Sequence, residues 1–283
     1  MTVFNLNIGV CGTISSGKST LVNALLGNIV SGVGMSKTTT SIIKYNYKSM
    51  ISMQNDIIIP PNVSVNLYDT PGFTDIYDRF HQLANCHIVI CVIDFIDSVN
   101  PTSQSLVNIL NSLKLVSQKS TLHQRFIYTV NKGDIYSSEY ANLFKYINKI
   151  ISSHGPIGVT YSINASIACL KNLKDPSSCC SEYLARIVNS VLHKTNHTMF
   201  AGLVQDEGYS KLIQTINRII LENIHLMCMS NSITKYKKLS YPTTSHVLAH
   251  YDELKNICAS LGYEYKTEYG AHLIVTTSSC SVM

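Results

Sequence analysis

Near the N-terminus, Gly12-Thr13-Ile14-Ser15-Ser16-Gly17-Lys18-Ser19-Thr20 sets two glycines, a lysine and several hydroxyls at the spacing G-x-x-x-x-G-K-[ST]. These residue types at this spacing suit one task, gripping phosphate. Gly12 and Gly17 let backbone N–H groups converge on anionic oxygens, and a helix starting at Lys18 adds its dipole. Lys18 supplies a point charge for β- and γ-phosphates, and the Ser19 hydroxyl is a hard oxygen ligand for Mg²⁺. A Gly/Ser-rich turn can mimic such a string. The strand pattern before it and the helical pattern after it argue against mimicry.

Two more strings follow in order. Asp69-Thr70-Pro71-Gly72 ends an apolar run about 50 residues after the first string. Alone it is an ordinary turn. Beside a phosphate loop, Asp69 can hold Mg²⁺ through water, and the Gly72 N–H can reach a γ-phosphate. Asn131-Lys132-Gly133-Asp134 then caps the strand pattern of residues 125–130. The Asp134 carboxylate can accept two hydrogen bonds from guanine N1–H and N2–H₂, a donor pair that adenine lacks. A site built around such a pair rejects the wrong base, because the carboxylate would be left unpaired. The Lys132 stem can lie along the base, and Asn131 can brace the loop.

These groups must be positioned by alternating strands and helices, which predicts an α/β fold: a doubly wound, mostly parallel sheet with helices on both faces. Strands are expected over Asn5–Val10, Ser41–Tyr47, Val63–Tyr68, Ile88–Asp94, Phe126–Asn131 and Gly158–Asn164. Several are continuous Val/Ile runs, as in strands buried on both faces. Helices are expected over Ser19–Leu26, Ser103–Val116, Ser138–Ser152, Glu182–His193 and Ser210–Met227. The last of these carries Leu212, Ile216, Ile220 and Ile224 on one face. Beyond it the pattern turns basic and linker-like. A helix over Ser245–Leu261 and a hairpin around Gly270 are expected next, a unit near the lower limit for independent folding. The organisation predicted is a nucleotide-binding domain over residues 1–230, a linker over 231–243 and a small helix-hairpin appendage over 244–283.

The three strings together resemble the P-loop GTPase family within the translation-factor-like GTPases. The stretch Gly12–Gly27, with Asn23-Ala24-Leu25-Leu26-Gly27 at its end, is similar to the dynamin-like branch. The likeness covers about the first 225 residues. It implies GTP as substrate, GDP as product, and Mg²⁺ held by Ser19, Asp69 and a threonine of the first mobile loop. Of Thr38, Thr39 and Thr40, the spacing of dynamin-like proteins favours Thr39, with Thr40 second. It implies phosphate contacts from Ser16 and Thr20, and a guanine-backing loop at Ser162-Ile163-Asn164-Ala165-Ser166, where the Ala165 N–H would meet guanine O6. Ras-like enzymes place a water-orienting Gln after Asp-x-x-Gly; Phe73 stands here and can neither donate to nor accept from water. Dynamin-like proteins instead use a P-loop polar residue, here Ser15, sometimes with K⁺ or Na⁺, and assemble as dimers through the nucleotide face. The resemblance thus implies Ser15, Lys18, Thr39 and Gly72 as the hydrolytic set. Fewer than about 60 residues follow the GTPase region, so a compact switch fits better than a membrane-severing machine.

Composition sets outer limits. The chain has 283 residues, with hydrophobic residues at 45% and charged ones at 14%, enough apolar surface to offset ordering entropy. Nine cysteines without repeated CxxC pairs exclude a disulfide scaffold or zinc ribbon. Cys86 and Cys91 read as core thiols. Cys179, Cys180, His193 and His197 match no structural-zinc spacing. A net charge of +5 is too weak to argue for nucleic acid, and the basic-aromatic Tyr236-Lys237-Lys238 reads as solvated linker. Nucleic acid is therefore not expected as a partner, membrane contact is not indicated, and a cytoplasmic setting is expected. Two rivals stay open: a non-hydrolysing GTP-binding scaffold, and a ribosome- or RNA-associated GTPase.

Overall fold

Four consecutive Val/Ile-rich runs, too apolar to face water on either side, set the centre of the molecule. The computed structural model describes residues 4–31, 41–47, 63–72, 80–95, 104–122, 124–132, 140–172, 207–237, 263–266 and 270–273. The chain runs β1 (Phe4–Gly12), α1 (Lys18–Leu26), β2 (Ile43–Asn46), β3 (Val63–Asp69), α2 (Phe80–Ala84), β4 (Ile88–Asp94) and α3 (Ser105–Lys119). It continues β5 (Arg125–Asn131), α4 (Tyr140–His154), β6 (Gly158–Ile163), α5 (Ala165–Asn172), α6 (Glu207–Lys237), β7 (Tyr263–Lys266) and β8 (Gly270–Leu273). The first six strands form one sheet in the order β2-β3-β1-β4-β5-β6. Every neighbouring pair is parallel except β2–β3, which is antiparallel.

Both faces of the sheet are covered, which makes it doubly wound. On one face Leu21, Leu25, Ala168, Leu212, Ile216 and Ile220, from α1, α5 and α6, pack on Ile8, Val10, Leu67 and Ile90. On the other, Leu106, Leu110, Leu113, Val116 and Ile147, from α3 and α4, pack on Val89, Cys91, Ile93, Tyr128 and Val130. Alternate residues of β4 serve opposite faces, so the whole strand is buried. The chain leaves β1 toward β3 on one side and returns to β4 on the other. Such a reversal opens a crevice at the C-terminal strand ends, where α/β sheets bind ligands.

Differences from the predicted elements are local. α2 and α5 have no counterpart among the predicted helices, since each is only 5 and 8 residues long and shows little periodicity. α6 starts at Glu207 and continues to Lys237, past the expected stop at Met227 and into the stretch read as linker. Nothing there breaks a helix, because Pro242 lies beyond it. Gly270, expected as a turn, pairs with Lys266 in the β7–β8 ladder. The expected helices Glu182–His193 and Ser245–Leu261 lie outside the described residues. Among the described residues no helix is long and apolar enough to cross a membrane.

Candidate functional site

The loop from Gly12 to Gly17 leaves β1 at the crevice. Gly12 has φ +147° and Gly17 φ +97°, values that L side chains rarely adopt. Space is equally restrictive: a Cβ on Gly12 would meet the Val92 carbonyl, and one on Gly17 the Asn131 amide. Gly17 caps α1 without a side-chain hydrogen bond, and no acidic residue occupies the first turn. The helix start thus carries no anion of its own, which suits phosphate. Lys18, only 6% exposed, donates from Nζ to the Thr13 carbonyl. Burial pulls its ammonium below the ordinary lysine range, and Asp69 pulls it partly back.

The Asp-Thr-Pro-Gly string is tied to the same loop. The Thr70 N–H and hydroxyl both donate to the Val10 carbonyl, at 3.2 and 2.8 Å. Gly72 lies so close that a Cβ would stand 2.7 Å from Ile14 Cα. Asp69, fully buried, accepts the Ser19 hydroxyl on Oδ2 at 3.0 Å. These two hard oxygen donors, brought together from residues 50 apart, form the donor set that Mg²⁺ prefers.

The third string closes the loop from the other side. Asn131 donates from Nδ2 to the Ser16 carbonyl at 2.8 Å and accepts the Ala165 N–H on Oδ1 at 3.0 Å. Lys132, in the left-handed region at φ 66°, sends Nζ to the Ser15 carbonyl at 2.7 Å and to Asp94 Oδ2 at 2.6 Å. Ser15 is exposed and itself left-handed, at φ 61°. The N–H that the resemblance assigns to guanine O6 is thus donated to Asn131, and Ala165 opens α5 instead of lying in a loop. Ser162 lies in β6, and Asn164 Oδ1 accepts the Ile167 N–H in the first turn of α5. Thr20 is buried one turn into α1. Thr39, Thr40, Phe73 and Asp134 lie outside the described residues, as do Cys179, Cys180, His193 and His197.

Three participants escaped the sequence. Asp94 ends β4 one strand from Lys132; a carboxylate closing a run as apolar as Ile88–Ile93 was a usable signal. Asn23 and Ser31, described further below, left a fainter one, a lone amide among the buried residues of α1. The thiols read correctly as core. Cys11 is held well above the ordinary thiol value by its hydrogen bond with Cys91 and by burial, and Cys86 is pushed up to about 12 by burial. Among the described residues no group of three or more His, Cys, Asp or Glu could hold a metal ion.

A magnesium nucleoside triphosphate can be tested against this cradle. Among the described residues, the buried Thr13 Oγ1 and Ser16 Oγ have no hydrogen-bond partner. Orphaned hydroxyls are costly unless a ligand satisfies them, and both border the Gly12–Gly17 loop. The uncapped helix start, the buried cation and the Ser19–Asp69 oxygens match the phosphates and the metal in turn. The residues fit the group.

Known proteins point the same way. Residues 7–132 match the family model described as 50S ribosome-binding GTPase. The GTPase Era of Rickettsia typhi is 31% identical over 175 residues, covering 59% of this chain and 52% of that protein. The GTPase Era of Rickettsia conorii is 28% identical over 173 residues, covering 56% of this chain and 43% of that protein. The chain therefore spans about half the length of the curated relatives it matches. Among solved structures, Era of Aquifex aeolicus bound to GDP and AlF₄⁻ is 19% identical, with a TM-score of 0.39, covering 69% of this chain and 58% of that one. The dynamin-like branch and the homodimer expected with it find no support in these relatives. The Gly12–Gly27 string follows a pattern that branches share, and a shared pattern does not separate them. Over residues 7–132 the chain is similar to P-loop GTPase domains.

Proposed function

We propose that the chain binds GTP with Mg²⁺, hydrolyses it to GDP, and uses the cycle to control association with ribosomal RNA or the ribosome. One observation carries the nucleotide part: Lys18, the Ser19–Asp69 pair and the Asn131–Lys132 pair converge on one six-residue loop from three strand ends. In this reading Lys18 and the first-turn N–H groups of α1 hold the phosphates. Ser19, Asp69 and Thr39 hold Mg²⁺, with Thr40 the second choice for the threonine. Asp134 accepts the guanine donors, Lys132 flanks the base, and Asn131 keeps the two loops in register. Bound Mg²⁺ supplies charge neutralisation between the β- and γ-phosphates. The chain supplies positioning and electrostatic stabilisation, which dominate phosphoryl transfer.

The ribosome part rests on the family description and replaces the expectation that nucleic acid is no partner. Residues 231–283, beyond the matched region, are the proposed contact. A second reading, activation by self-association with Ser15 and a monovalent cation, is favoured by the exposed Ser15 on the loop and by Phe73 in the position of a water-orienting Gln.

The test is one titration series on the full chain. GTP, GDP and ATP are titrated with and without Mg²⁺, then turnover is followed across protein concentration, K⁺ and added ribosomal RNA. The proposal expects guanine-selective, Mg²⁺-dependent binding that Asp134→Ala abolishes, and RNA association weakening steeply with salt. Equal affinity for ATP overturns the base assignment. Turnover per molecule rising with protein concentration, with no response to RNA, favours self-association.

A further inference from the structure

We propose that Ser31, fixed in place by Asn23, is a positioning residue for Mg²⁺: it aims the Asp69 carboxylate. The inference rests on the magnesium–nucleotide reading above. The Ser31 hydroxyl donates to Asp69 Oδ2 at 2.6 Å, the same oxygen that accepts the Ser19 hydroxyl at 3.0 Å. Two donors on one oxygen fix the direction of the carboxylate. Groups behind a metal ligand set its orientation in just this way.

Ser31 is itself held with unusual completeness. Asn23 lies on α1 among Leu21, Val22, Ala24 and Leu25, fully buried. An amide there is costly unless satisfied. It turns its side chain onto two consecutive residues: Oδ1 accepts the Val30 and Ser31 N–H groups at 3.0 and 2.8 Å, and Nδ2 donates to the Ser31 carbonyl at 2.9 Å. From β2 the Tyr45 hydroxyl donates to the Val30 carbonyl at 3.4 Å. Residues 30 and 31 are thereby held by Asn23 of α1, and residue 30 also by Tyr45 of β2. A tie that served the chain path alone would not need the Ser31 hydroxyl to end on the carboxylate shared with Ser19.

The experiment follows release of N-methylanthraniloyl-GDP from the full chain as Mg²⁺ is titrated, with the metal-free rate measured in EDTA. Ser31→Ala should need about tenfold more Mg²⁺ for half-maximal retention, with the metal-free rate unchanged. Ser31→Thr, which keeps the hydroxyl, should restore the wild-type requirement, and Asn23→Ala should shift it in the same direction as Ser31→Ala. Should the alanine variant not fold, Ser31→Cys keeps the volume, weakens the donor and carries the same test. An unchanged Mg²⁺ requirement overturns the inference, as does an equal acceleration of metal-free release that threonine does not cure. A wild-type chain that retains the nucleotide no better with Mg²⁺ than without overturns the magnesium reading itself, and this inference with it.

Discussion

The two ends of the sheet hold polar groups of different character. Toward the N-terminal strand ends, Asn66 Nδ2 donates to Asn5 Oδ1 and Asn7 Oδ1 at 3.3 and 3.0 Å. Asn7 donates its side-chain amide to the Asn85 carbonyl and its backbone N–H to His87 Nδ1. Gln124 Nε2 bridges the Leu83 and Cys86 carbonyls. These are neutral groups that spend their donors on one another and on the backbone. At the C-terminal ends the buried groups include the charged Lys18, Asp69 and Asp94, and two hydroxyls of the loop between them lack partners among the described residues. A neutral network of this kind stabilises a fold. An open charged one costs stability until a ligand completes it.

The sharpest way to break this contrast is Lys18→Ala. GTP affinity should fall by about 100-fold, as for losing hydrogen bonds to a charged partner. Thermal stability without nucleotide should hold or rise, because a cation held in a dry site is removed; a fall in both would make Lys18 structural. Next comes Asp94→Ala. It leaves the Lys132 ammonium, 24% exposed, without its partner. Unfolding free energy should drop by about 2 kcal/mol, the buried-pair cost discounted for partial exposure. GDP release should quicken by about tenfold as the Ser15 tie loosens, at a rate equivalent to one hydrogen bond to a charged group. Unaltered release would place Asp94 with the structural groups.

At the opposite end, Asn66→Ala should cost about 1–2 kcal/mol of stability and leave nucleotide affinity within about twofold, since distant sites act independently. A large loss of affinity would erase the distinction between the two ends. The smallest effect expected is acid sensitivity from His87. Burial lowers its pKa from 6.5, so the folded chain resists a proton that the unfolded chain takes at the ordinary value. Its contribution is complete above about pH 6.5 and shrinks as pH falls below that. Melting followed from pH 8 to 5 should show the step, and His87→Gln should flatten it.

The phosphate grip was legible because it is local. Nine consecutive residues carry its glycines, lysine and hydroxyl, and the backbone geometry that glycine alone accepts follows at Gly12 and Gly17. Strand cores were legible for a related reason: burial on both faces forces unbroken apolar runs such as Ile88–Ile93. Short helices were not, because five or eight residues complete too few turns for a period to register, as at Phe80–Ala84 and Ala165–Asn172. The branch of the family was not legible from the same string, since a pattern suited to phosphate says little else.

The sequence by itself determined where the Gly-Lys-Ser string stands, that a mostly parallel sheet carries it, and which residue types stand at three strand ends. Only the tertiary structure decided which partner each side chain takes. It brought Asp94 under Lys132, 38 residues away, gave the Ala165 N–H to Asn131, and set Ser31 on the carboxylate that Ser19 shares. Hydrogen bonds reach about 3 Å, whereas the chain between these partners could extend many times farther. Their meeting depends on strand order and register, quantities that no local run of residues encodes.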